Sequence, residues 1–274
     1  MVASAQGRDY SSYQGVITPA ALAGLAFAYT RVSNWTGSAM GTDVNFTRNW
    51  AAIKAAGLHR KAYWYFNPML SPVAQASYFV AKVQAAGLSP GDGLVCDSET
   101  LTAGVDAATL TFQRQVKALT GWPVGLIETY SDLNVGKHLV ATSREFPTFW
   151  VGWPSPTAPV PAQWAPATWK NWTFWQFGET LGVDDDAFNG TAAELDAWVA
   201  SHLAPPVPVN TPTTVTADGK QTIAEIAAAH GTAPAGILRA TAVTDGFYPA
   251  DVAAWIDTAL GASVPPAGAV LRVP

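Results

Sequence analysis

Asp97 and Glu99 stand two residues apart at the end of the apolar run Leu94-Val95-Cys96. In a strand, residues at i and i+2 share a face. The two carboxylates would then point together, roughly 6–7 Å apart at the backbone, beyond the strand's carboxyl end. Two carboxylates in a partly apolar cleft repel, which raises one pKa so that this group serves as a general acid while its partner stays ionised. Glycoside hydrolysis requires that division of labour. On the D-x-E spacing alone, an acidic strand end facing solvent is the plainer explanation, but other acids change the balance. Asp9 follows Gly7-Arg8 at the expected first strand, and the triplet Asp184–Asp186 follows Trp175-Gln176-Phe177 at the expected last. First and last strands are neighbours in a closed barrel, so these acids can converge on one mouth. By itself the triplet would read as a solvated loop or a helix cap. Tyr63, Trp64, Tyr65, Trp150, Trp153, Trp164, Trp169, Trp172 and Trp175 crowd the same span. Their flat apolar faces suit sugar rings, although about half of them are expected to be core.

Two other patterns carry no chemistry. Gly87-Leu-Ser-Pro-Gly91 matches G-x-S-x-G, yet it leaves a helix and enters a strand, the reverse of a nucleophile elbow. Cys96 alternates away from the Asp97/Glu99 face and reads as a buried thiol. This lone cysteine leaves no internal disulfide framework, and His59, His138, His202 and His230 lack HExxH spacing, so neither a metal nor a cofactor is expected.

Several helical patterns, each followed by an extended apolar run, must position these residues. Thr18-Pro19 fits a helix start before the strand Ala26–Val32. The helix at Asn45–Ala56, stopped by Gly57, precedes Ala62–Phe66. Ser71-Pro72 opens a helix that Gly87 closes, leading to Leu94–Cys96. Asp106 is expected to cap a helix ending at Gly121, before Val124–Ile127. Phe149–Val151 and Phe174–Phe177 are later strands, and Ala192–Leu203 is a final helix. Such repeated units predict a parallel, barrel-like α/β domain.

The chain has 274 residues, room for one domain of about 200 plus a small appendix. Only 13 % of residues are charged and the net charge is -5, so no nucleic-acid partner is expected. No apolar stretch is long enough to span a membrane, and MVASAQGRDY has no signal-peptide core. The expected localisation is therefore inside the cell that makes it, without a signal peptide. Residues 204–212, Ala-Pro-Pro-Val-Pro-Val-Asn-Thr-Pro, read as a proline-rich linker between a domain at 1–203 and a second at 213–274. The second carries five acidic residues against three basic ones, so it is no polybasic membrane anchor.

In the order found, these segments resemble glycoside hydrolase family 25, the muramidases, over about residues 7–200. The opening D-x-S-x-Y/W-Q-G appears, shifted by one, as Asp9-Tyr-Ser-Ser-Tyr-Gln-Gly15. The helix F-N-W-x-x-A-K-x-A-G-L is similar to Phe46–Leu58, and A-Y-H-Y to Ala62-Tyr-Trp-Tyr65. Q-A-x-Y-F is Gln75–Phe79, D-x-E is Asp97-Ser-Glu99, and W-Q and V-D-x-N-x-F match Trp175-Gln176 and Val183–Phe188. The resemblance implies a modified β/α (TIM-like) barrel that cleaves the β-1,4 bond between N-acetylmuramic acid and N-acetylglucosamine, with bacterial cell-wall peptidoglycan as its partner. It implies Glu99 as general acid and then base. Asp97 would orient or stabilise the substrate's 2-acetamido group if that group, rather than an enzyme carboxylate, acts as the nucleophile, and Asp9 and Asp184 would set the charge and hydrogen bonding of the cleft. Tyr63, Tyr65, Trp150, Trp175 and Gln176 would bind substrate. Departures near Asn34 and Leu126 bear on substrate positioning. The segments Val215–Gly219, Thr222–Thr232 and Pro266–Pro274 look like a LysM glycan-binding module with an insertion at Thr241–Ala262. The whole would be a phage endolysin, made in the bacterial host cytoplasm and acting on the wall after release.

The rival is a catalytically silent wall-binding or virion structural protein; the four carboxylates favour the enzyme. Asp92–Glu99 also resembles the D-G-x-D-x-D-x-E signature of family 18 chitinases, but Val95 stands where that signature has its middle aspartate.

Overall fold

The structure is a computed structural model that describes residues 4–36, 39–163, 168–203, 213–216, 219–220, 222, 225–226, 229 and 270–273. The chain divides into two units, Met1–Pro205 and Pro206–Pro274. In the first unit eight strands close into a barrel. They are β1 (Gln6–Tyr10), β2 (Phe27–Arg31), β5 (His59–Tyr65), β6 (Gly93–Asp97), β7 (Ile127–Asp132), β8 (Phe149–Gly152), β9 (Phe174–Thr180) and β10 (Val183–Phe188), in the order β1-β10-β9-β8-β7-β6-β5-β2. The hairpin β3 (Ser33–Thr36) and β4 (Ala39–Thr42) rises beyond β2. The helices are α1 (Phe46–Ala55), α2 (Pro72–Ala85), α3 (Val105–Thr120), the short α4 (Leu133–Gly136) and α5 (Val140–Glu145), and α6 (Ala192–His202).

Alternation along the strands divides the core in two. On β5 and β6, Ala62, Trp64, Leu94 and Cys96 face outward, against Trp50 of α1, Phe79 of α2 and Phe112 of α3. Tyr63 and Val95 face inward with Phe27, Tyr29, Tyr130, Trp150 and Phe174. Cys96 is accordingly a buried core thiol. At the amino ends of the strands, Leu195 and Val199 of α6 join the inner cluster. His202 packs so closely on Gly125 that a β-carbon there would meet its ring at 1.8 Å. Inside this end lies the ion pair of Lys61 with Glu128, both almost fully buried, with the Lys61 Nζ 3.9 Å from the centre of the Phe174 ring. Removing one member of a pair this deep strands a charge and costs about 3–5 kcal/mol.

Four sequence expectations need correction. The barrel is not wholly parallel: β10 runs antiparallel to both β1 and β9. Only Leu181-Gly182 separates β9 from β10, and a parallel crossover needs about a dozen residues, so a hairpin is the available connection. Asp106 does not cap its own helix, which starts after Gly104 in a left-handed conformation. Its carboxylate accepts from the backbone N–H groups of Ala141 and Thr142 and caps α5 instead. Pro19–Leu22 makes a single 3-10 turn rather than a helix, closed by Thr18. Val124–Leu126 forms a turn after Pro123, so β7 starts only at Ile127.

In the second unit Thr213–Thr216 pairs antiparallel with Val270–Val273. Thr222 and Glu225 cap one another. The remainder of the LysM-like segments, Thr241–Ala262 and the linker at 204–212 lie outside the described residues.

Candidate active site

Seven parallel strands send their carboxyl ends to one mouth, where β10 begins. Along β1, Arg8 turns outward and its Nε meets Asp185, its cross-strand partner, at 3.0 Å. The same alternation turns Asp9 inward, in register with Asp184. Asp9 accepts from the Tyr63 hydroxyl (Oδ1, 3.4 Å) and from Gln176 Nε2 (Oδ2, 2.8 Å). The Tyr130 hydroxyl donates to Gln176 Oε1 at 2.7 Å, which fixes the amide so that its NH₂ faces Asp9. Burial, then the Asp184 carboxylate, push Asp9 up from 3.8 to about 7.

Asp97 ends β6 on the inner face. It is buried, and its Oδ1 has no hydrogen-bond partner among the described residues. Burial and then the charges of Glu99 and Asp9 hold its pKa well above the carboxylate range, against the pull of Arg31. Glu99 lies two residues further on, exposed at the mouth. Partial desolvation raises its pKa, the Tyr130 hydroxyl opposes this, and Asp132 and Asp184 reinforce it. Asp184 is half-buried and raised by burial and then Glu179. The mouth therefore holds an accessible carboxyl, Glu99, among shielded ones whose pKa values burial and mutual charge also raise, Asp97 most of all, an arrangement in which a carboxylic acid can donate a proton to a leaving oxygen.

The predicted site residues separate into those at the mouth and those that support it. Asp9, Asp97, Glu99, Asp184, Tyr63 and Gln176 meet there, and Tyr65 stands 39 % exposed at the end of β5, open to a ligand. Trp150 is only 2 % exposed, stacked on Tyr29 with ring centres 3.8 Å apart. It therefore lies beneath the mouth and cannot offer its face to a sugar. Trp175 is turned to the outer face of β9 by the alternation that aims Gln176 inward. It packs with Trp153 and Trp172, and its Nε1 donates to the Trp153 carbonyl. Leu126 is buried before β7, at the strand end away from the mouth, so the departure there does not touch substrate positioning.

Sequence reasoning missed Tyr130, Asp43 and Arg31. Arg31 donates to Asp43 Oδ2 from Nε (3.2 Å) and from its terminal nitrogen (3.1 Å), and Asp43 also accepts from the Ser12 N–H. The only signals were the inward parity of Tyr130 on β7 and an acid following a hairpin that was not foreseen. The rim carries apolar side chains: Tyr13, Met40, Met69, Leu101 and Leu181 are all exposed, Met40 on β4 of the hairpin beyond β2 and the others on loops that follow the carboxyl ends of β1, β5, β6 and β9.

A closed β/α barrel with acids converging at the carboxyl ends of its strands defines the class of barrel glycosidases. The model of glycosyl hydrolases family 25 matches residues 8–186, and the chain belongs to that family. It is a glycoside hydrolase of the muramidase type. Lysozyme M1 of Streptomyces globisporus is 28 % identical over 215 residues, 69 % of each chain. The crystal structure of a bacterial lysozyme from Streptomyces coelicolor is 27 % identical, covering 74 % of this chain and all of that one, with a TM-score of 0.57. A family 25 glycosyl hydrolase from Bacillus anthracis shares the fold at 19 % identity and a TM-score of 0.54, over 72 % of this chain and 94 % of that one.

Proposed function

We propose that the barrel cleaves the β-1,4 bond between N-acetylmuramic acid and N-acetylglucosamine in bacterial peptidoglycan, with Glu99 as acid and then base. The carrying observation is the convergence of Asp97 and Glu99, from the end of β6, with Asp9 and Asp184 from the β1–β10 pair. Glu99 gives its proton to the glycosidic oxygen as the C1–O bond breaks, and the substrate's own acetamido oxygen closes on C1. Asp97 stabilises the positive charge that this places on the acetamido nitrogen. The Glu99 carboxylate then takes a proton from the water that reopens the ring, restoring both groups. Asp9, oriented by Tyr63 and Gln176, tunes the charge of the cleft, and the apolar rim holds the sugar faces. The decisive experiment digests purified cell walls and reduces the new ends. Muramitol supports this cleavage, whereas glucosaminitol alone, or no new ends, contradicts it.

The further parts of the proposal are that residues 213–274 hold the enzyme on wall glycans and that it acts as a phage endolysin, made in the host cytoplasm and released onto the wall. The composition break at 204–212 and the separate unit from Pro206 support the first part. Lysis of host cells only when a membrane pore is co-expressed would support the second, and lysis without a pore would count against cytoplasmic retention.

A further inference from the structure

Asp186 follows Asp184 by two on β10 and is turned into the barrel, where none of it is exposed. Its Oδ1 accepts from Trp150 Nε1 at 2.9 Å, and its Oδ2 has no hydrogen-bond partner among the described residues. The Trp150 ring stacks on Tyr29 and meets Tyr63 and Tyr130 edge-on, with centres 6.1 and 4.5 Å away. Tyr63 and Tyr130 are the hydroxyls that orient Asp9 and Gln176.

We propose that Asp186 is a positioning residue of the reaction proposed above. As a neutral carboxyl with a proton on its second oxygen, it anchors Trp150 and thereby seats the tyrosines that orient Asp9. A carboxylate buried with one hydrogen bond and no cation would be costly. Every charged neighbour opposes ionisation: Asp9 on β1, and Asp184 and Asp185 on β10. On the other walls, Tyr29 of β2 and Tyr130 of β7, whose ionisation a charge on Asp186 would oppose, are themselves held protonated; the hydrogen-bond donor to Asp186 on β8 is the uncharged Trp150, and its register partner on β9 is the uncharged Gln176. Burial is the largest influence in the same direction, keeping Asp186 protonated well above the carboxylate range. The pattern V-D-x-N-x-F, which this strand otherwise follows, places an amide at this position. A protonated carboxyl has the shape and the neutrality of that amide.

The test has one arm that does not depend on activity. The infrared difference spectrum at neutral pH between the wild-type chain and Asp186→Asn should contain a protonated-carboxyl band from the wild type. A carboxylate band in its place overturns the proposal, whatever the substrate proves to be. Asp186→Asn should fold, keep kcat within about threefold and leave the pH profile of kcat/KM unmoved, because one neutral acceptor replaces another. A profile shifted to lower pH would mean that Asp186 was charged and repelled Asp9, and failure of this isosteric variant to fold would count equally against a neutral carboxyl. Asp186→Ala, which leaves the indole N–H without an acceptor, should lose about tenfold or more in kcat, and the Asn variant should restore it. Full activity in Asp186→Ala overturns the positioning role.

Discussion

Asp9 and Asp184 face one another across the antiparallel β1–β10 pair. Burial first, and then this like charge directly opposite, make Asp9 a carboxyl that keeps its proton up to about 7. The folded chain thus binds more protons than the unfolded chain between Asp9's ordinary 3.8 and about 7, so stability falls as pH rises through that interval. Asp9→Asn should remove this loss, gaining about 1 kcal/mol or more at pH 8 relative to pH 4. Denaturant midpoints at several pH values measure it, and parallel pH dependences for variant and wild type would refute the assignment.

Asp97→Asn should fold and bind glycan but turn over at least about a hundredfold more slowly, because an amide, unlike the Asp97 carboxyl, cannot give up a proton to set negative charge against a developing cation. Steady-state kinetics beside a binding isotherm would separate this from loss of affinity. A variant with normal kcat would release Asp97 from the chemistry.

Gly152, at the end of β8, touches the hydroxyl that orients Gln176. A β-carbon there would stand 2.4 Å from Tyr130 Oη and 3.0 Å from the ring carbon bearing it. Gly152→Ala should displace Tyr130, free Gln176 and lower kcat by about tenfold, with a smaller effect on KM. Unchanged kinetics would mean that the Tyr130–Gln176–Asp9 chain is ornamental.

The division of labour along the chain is equally testable. None of the four proposed carboxylates lies beyond Asp184, so a chain cut after Leu203 should hydrolyse soluble glycan fragments at a near-normal rate. Wall retention should fall by roughly ten- to a hundredfold with the loss of a second attachment. Residues 213–274 alone should sediment with walls in low and high salt, since their slight acidic excess offers no basic patch to screen. Failure to sediment, together with an inactive truncated barrel, would make the second unit a structural part of the enzyme.

Much of this site could be read along the chain because it depends on local parity. The D-x-E pair needed only the run Leu94–Cys96 to be a strand, and the same alternation correctly turned Cys96 away. That parity, applied to β9, would also have sent Trp175 outward once Gln176 was placed inward. The antiparallel β10 was legible too, in the two-residue spacing of Leu181-Gly182. What remained hidden depends on distant segments meeting. Arg31 finds Asp43 across the β3–β4 hairpin, Asp106 caps a helix that follows the next strand, and Tyr130 of β7 reaches past β8 to Gln176 of β9. No periodicity in a single segment encodes such pairs.

The central claim is that Glu99, exposed at the mouth and with its pKa raised by partial desolvation, supplies the proton that breaks the glycosidic bond. Its most direct test is the release of reducing ends from purified peptidoglycan by Glu99→Gln, with circular dichroism and wall binding measured on the same sample. Turnover at least about a hundredfold below wild type, in a folded chain that still binds, is the predicted result; a folded Glu99→Gln that cleaves at the wild-type rate would contradict it.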